Sequence, residues 1–185
     1  MLLLAGPAQA HAPLAGFSSF GNGFLHPLVI PAQVLLIISL GLLIGRQGSR
    51  AIQYALLLFF VSLFPGIFLS QFVTFDAELI LSAGAASLAA VVISGYFLPL
   101  WCLYAFAILS GLLIGTDSLI EDFVHKQRYF AWLGSVVGSY VLLIYSSGIA
   151  QYLQPLKDGI AIRVAGSWIA ASCLLVIALS VLKPF

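Results

Sequence analysis

Charged residues stand in small groups along this chain, separated by long uncharged runs: Arg46 and Arg50; Asp76 and Glu78; Asp117, Glu121, Asp122, Lys126 and Arg128; Lys157, Asp158 and Arg163; and Lys183. The stretches 1–45, 51–75, 79–116, 129–156 and 164–182 carry no formal charge. A helix needs about 20 mostly apolar residues to cross a hydrocarbon core of roughly 30 Å. The pattern therefore predicts an all-α, polytopic membrane protein: a six-helix transmembrane bundle. The first span runs from about Leu28 to Gly45, and the second from Ala51 to about Phe72 with a kink expected at Pro65-Gly66. The run Leu79 to Thr116 is too long for one span, and Ser94-Gly-Tyr-Phe-Leu-Pro99 near its midpoint splits it into two helices joined by a tight turn. Tyr96, Phe97 and Trp101 suit an interfacial aromatic belt at that turn. A fifth helix extends from about Tyr129 to Tyr145, and a sixth from near Ile162 to Lys183.

Close helix packing in lipid depends on small residues that let backbones approach. Three GxxxG motifs occur on three different predicted helices: Gly41 with Gly45, Gly111 with Gly115, and Gly134 with Gly138. All six glycines are expected at helix contacts, although glycine is also common in membrane helices without that role. Upstream, residues 1–10 end in the A-x-A pattern of Ala8 and Ala10, the small-residue context of signal peptidase cleavage. The segment lacks a basic start and has a short apolar run, so it reads as a signal-peptide remnant, leaving 11–185 as a single membrane domain. Cleavage after Ala10 would expose His11 as the new N-terminus on the external face, and six spans would return the C-terminus to that side. Arg46, Arg50, Lys157 and Arg163 would then be cytoplasmic against Lys126, Arg128 and Lys183 outside, a narrow bias in the direction of the positive-inside rule.

Composition sharpens the exclusions. With 62% hydrophobic and 7% charged residues, the chain is far from a soluble domain, about a quarter of which is charged. A net charge of +1 without a basic cluster offers nothing to neutralise nucleic acid. Cys102 and Cys173 lie inside apolar runs and read as small buried hydrophobes rather than a disulfide. No H-E-x-x-H zinc motif, phosphate loop or intramembrane serine–histidine pair is evident, so no enzyme is expected.

The segments His11-Ala-Pro-Leu-Ala-Gly-Phe17 and Gly23-Phe-Leu-His-Pro-Leu28, together with Arg163-Val-Ala-Gly-Ser-Trp-Ile-Ala-Ala171, resemble the HupE/UreJ family of hydrogenase and urease accessory membrane proteins. The resemblance implies six helices in a bacterial inner membrane and movement of nickel or cobalt. It also implies ligand motifs, most of which are missing here. Against the family pattern H-P-x-x-G-x-D-H the chain has His26-Pro27-Leu-Val-Ile30-Pro31-Ala32-Gln33. Against H-G-x-x-H-G-x-E it has Ser110-Gly111-Leu-Leu-Ile114-Gly115-Thr116-Asp117, and the fifth helix has Ile144-Tyr145 where the family carries Leu-His.

Imidazole and carboxylate are what a borderline divalent metal prefers, whereas hydroxyls such as Ser39, Ser62, Ser87, Ser110 and Tyr145 are poor substitutes and fit interhelical hydrogen bonds better. A weak external site for a nickel, cobalt or copper ion remains open at His11, through its α-amine and imidazole, with His26 as a third nitrogen. The simpler reading of His26, a helix-opening residue beside Pro27 in the first turn, outweighs it. Asp117 is a lesser metal candidate, since Asp117, Glu121 and Asp122 at near-helical spacing more often form a solvated face. His125 sits beside Lys126 and reads as loop. No resident cofactor is expected. The expected partners are the lipid bilayer and either a second copy of the chain or another membrane protein. Two functions stay open: a small permease with a degenerate metal site, or a non-transporting accessory subunit.

Overall fold

The structure, a computed structural model, describes residues 16–72, 77–118 and 126–182. Among these there is no strand. Seven α-helices follow one another as α1 (Ser19–Val29), α2 (Pro31–Gly45), α3 (Ser49–Leu69), α4 (Ala77–Ser94), α5 (Leu100–Thr116), α6 (Lys126–Leu153) and α7 (Ile160–Leu182), with a 3-10 turn at Leu156–Gly159 before α7. The all-α, membrane-type architecture agrees with the charge pattern. Helices α3, α4, α6 and α7 are each long and apolar enough to cross a membrane; α1 and α2 meet that test only together, as a pair bent by 71°, and α5 is a shorter apolar helix.

The first span departs from the expected Leu28 to Gly45. Ser18 caps an additional helix by accepting from the Gly21 backbone N–H at 3.1 Å, so helical structure begins nine residues earlier, at Ser19. The chain then breaks at Ile30, whose φ of −85° and ψ of 110° are the extended geometry imposed on a residue that precedes proline. Pro31 opens α2 at a position where its missing N–H is not needed. His26 and Pro27 are therefore not in a first helical turn; both lie near the C-terminal end of α1. In contrast, Pro65 lies inside α3 without ending it. The fifth predicted helix also runs on past Tyr145, to Leu153 in α6. There Ser146 and Ser147 return their hydroxyls to the Leu142, Leu143 and Ile144 carbonyls instead of turning the chain.

Helix α2 is the centre of the bundle, with 11 of its 15 residues buried, including Leu36, Ile37, Leu40, Leu43 and Ile44. It packs against α4 and α6, while α1 lies along α6, α3 along α5 and α7 along α4. On α7 the buried positions Ile162, Gly166, Ile169 and Cys173 form one stripe at helical spacing, leaving the large side chains Trp168, Leu174 and Leu175 outward. An apolar exterior of this kind is what lipid requires.

The GxxxG glycines sit at close helix approaches. A Cβ on Gly41 would meet Ser146 and one on Gly45 would meet Ser147 and Ala150, on α6; Gly111 and Gly115 face Phe59, Ser62, Leu63 and Gly66 of α3. Gly134 and Gly138 face the backbone of Phe20 and Phe24 in α1, which is the contact that seats α1 on α6.

Candidate functional site

The break between α1 and α2 brings polar residues from distant parts of the sequence together. His26, buried near the end of α1, donates from Nε2 to the Asp117 backbone carbonyl at 3.0 Å; a carbonyl only accepts, so Nε2 carries the proton. Gln33, in the first turn of α2 and without solvent exposure, donates from Nε2 to Asp117 Oδ2 at 2.6 Å and to the Asp117 carbonyl at 3.3 Å. Asp117 is the C-cap of α5. Beside it the Ser118 hydroxyl donates to the Ile114 carbonyl at 2.7 Å and lies 2.9 Å from the Ser135 hydroxyl of α6. Helices α1, α2, α5 and α6 thus meet at one polar junction.

Two helix C-termini and one helix N-terminus meet at the junction, since α2 begins beside it. Helix C-termini carry partial negative charge from their last carbonyls, and both α1 and α5 end here. The Asp117 carboxylate adds to that charge. Gln33 Oε1 is buried with no hydrogen-bond partner among the described residues, an acceptor facing no donor. Carboxylate, carbonyl and amide oxygens brought together in this way are groups that suit a metal cation.

The candidates from the sequence fall unevenly around this point. His26 and Asp117 are brought together; His11, Glu121, Asp122 and His125 lie outside the described residues. Ser110 and Ile114 are buried on α5 and carry no imidazole or carboxylate. Among the described residues no group of three His, Cys, Asp or Glu side chains is placed to hold a metal ion. His26, expected in a first helical turn, instead lies inside α1, which extends past it.

Sequence reasoning missed the opposite end of the bundle. Arg46, expected as a loop charge, is buried; its guanidinium donates to the Val92 carbonyl at 3.1 Å and the Gly95 carbonyl at 2.6 Å and lies 5.2 Å from the centre of the Phe97 ring. Arg163 donates from Nε to the Ile93 carbonyl at 2.9 Å. Two cations thereby cap the C-terminus of α4, and burial, with Arg163 nearby, draws the Arg46 guanidinium below its ordinary pKa. The signal available in the sequence was a single Arg after 45 charge-free residues.

Fold and site together define a polytopic helical membrane protein with a broken helix whose junction collects acceptors. The model of the family described as HupE / UreJ protein matches residues 1–176, and the chain belongs to that family. No curated protein and no solved structure matches it.

Proposed function

We propose that this chain is a small permease-type carrier for a divalent transition-metal ion of the nickel or cobalt kind, which it meets at the junction of His26, Gln33 and Asp117. The helix break carries this reading. Discontinuous helices whose ends point at a shared polar centre are how membrane carriers coordinate ions, and irregular backbone at membrane depth persists only where protein or a water-filled cavity satisfies it. His26, Gln33 and Asp117 occupy the first and last positions of the family's first motif and the last position of its second, and they converge in space. One imidazole, one carboxylate and one amide oxygen form a sparse ligand set, and an incoming ion must displace the hydrogen bonds already present. Binding is therefore weak, and His11 of a chain processed after Ala10 would add to it from the external side. The reading places the chain in a bacterial inner membrane with both mature termini outside.

A second reading, a non-transporting accessory subunit, is favoured by one observation: Ser110 and Ile114 are buried where the family carries histidine, so the deeper path has no imidazole. Nickel and cobalt uptake into proteoliposomes separates the two. Saturable uptake lost in His26→Ala and in Asp117→Asn is the expected result. Uptake that survives both substitutions would rule the junction out as the ion site. No uptake by the unmodified protein would favour the accessory reading, and the next measurement would be which membrane protein co-purifies with it.

A further inference from the structure

We infer that the groove between the end of α6 and the start of α7 holds one acyl chain of an anionic phospholipid, whose phosphate pairs with Lys157. The groove has a volume of about 410 Å³ and is lined by Leu153, Leu156, Lys157, Ile160 and Ala161, a size within the range of small-molecule sites. Lys157 supplies the only charge on an otherwise apolar wall.

The backbone that puts it there is unusual. After Leu153 the chain turns through Gln154 and Pro155 into the 3-10 turn, where Lys157 (φ 48°, ψ 46°) and Asp158 (φ 55°, ψ 33°) are both left-handed. Residues with a Cβ rarely adopt that conformation, and it persists where the surroundings over-determine it. Here it brings a lysine onto the same wall as Leu153 and Ile160.

Depth and charge identify the occupant. Tyr152, 76% exposed, stands in the last turn of α6, and exposed Tyr96 and Trp101 flank the α4–α5 link at the same end of the bundle. Aromatic side chains so placed mark the headgroup level. This end carries Arg46, Arg50, Lys157 and Arg163 against the single carboxylate of Asp158. Arg46 and Arg163 donate to α4 carbonyls, but Lys157 has no hydrogen bond or ion pair among the described residues. A free phosphate would satisfy the lysine and leave the apolar wall bare. A phospholipid satisfies both.

The test is native mass spectrometry of the full chain in detergent, titrated with phosphatidylglycerol or phosphatidylcholine of identical acyl chains. The expected result is a preference of roughly fivefold for phosphatidylglycerol, the effect of one basic side chain near an anionic headgroup. Lys157→Gln should abolish the preference and Lys157→Arg should keep it. Ala161→Trp should lower binding of both lipids by filling the groove. Glycerol phosphate should not compete; displacement by it would mean that the headgroup alone is recognised and would overturn the groove. Equal binding of the two lipids, or a preference unchanged in Lys157→Gln, would overturn the proposal as well.

Discussion

At one end of the bundle Arg46 and Arg163 donate to the Val92, Ile93 and Gly95 carbonyls of α4, whereas at the other His26 and Gln33 donate to the Asp117 carbonyl of α5. Both arrangements satisfy a helix C-terminus with side chains from other helices. They differ in charge. The arginines bring permanent cations to the partial negative charge of α4 and donate to its carbonyls. The junction end uses an amide and an imidazole, adds the Asp117 carboxylate, and leaves Gln33 Oε1 without a donor among the described residues. The arginine end ties helices together through carbonyls and reads as architecture. The other gathers an imidazole, a carboxylate and an amide oxygen, groups that suit a metal ion, and that is why function is assigned to it.

The largest expected effect tests the arginine end. Arg46→Ala strands the buried Val92 carbonyl and the half-buried Gly95 carbonyl and removes the contact with Phe97, at a cost of about 3 kcal/mol from the lost charged hydrogen bonds. Thermal unfolding in detergent measures it. Arg46→Lys should recover only part, since one ammonium cannot reproduce the planar fork that spans Val92 and Gly95. Loss of nickel binding in a folded Arg46→Lys protein would contradict the division of roles between the two ends.

A smaller effect, about 2 kcal/mol of overpacking, is expected for Gly134→Leu, which drives a side chain into the Phe20 and Phe24 backbone and pushes α1 off α6. Stability should fall and the junction should be lost with it, because His26 rides on α1. A protein that melts as before and still takes up metal would show that α1 does not need this contact.

The difference between the ends also governs how much the sequence could tell. Long charge-free runs made the helices legible, because each spanning segment must be apolar on its own, and the turn before Pro99 was equally plain. The break at Ile30 was not, since Pro27 and Pro31 four residues apart permit a helix start at either, and only the Ser18 cap and the seat on Gly134 and Gly138 decide for both. Of the candidate site, His26 and Asp117 were visible as residue types. Their meeting was not, because it depends on contacts across 91 positions of sequence. Arg46 was misjudged for the same reason: its partners lie on α4, and nothing local distinguishes a buried arginine from a solvated one.

Restoring a ligand should sharpen the contrast. Gln33→His places a second imidazole beside His26 and Asp117, and nickel affinity is expected to rise about tenfold, which corresponds to ~1.4 kcal/mol. Isothermal calorimetry on the purified protein gives the answer. A histidine at this position that leaves affinity unchanged would mean that the junction is not where the ion binds.

The smallest expected effect is the most discriminating. Gln33→Leu removes the donor to Asp117 Oδ2, a hydrogen bond to a charged group worth about 1.5–3 kcal/mol, but it also removes the buried Oε1, whose unmet acceptor costs about 1–3 kcal/mol. The two terms nearly cancel, so the melting temperature should change little even though a fully buried polar residue has been replaced by an apolar one. Arg46 has no such offset, because among the described residues no buried side-chain acceptor beside it is without a partner. If Gln33→Leu destabilises as much as Arg46→Ala, then Gln33 is architecture as well, and the two ends of the bundle differ in charge but not in role. Near-neutral stability together with lost metal uptake would instead show that Gln33 is kept for the ion it meets.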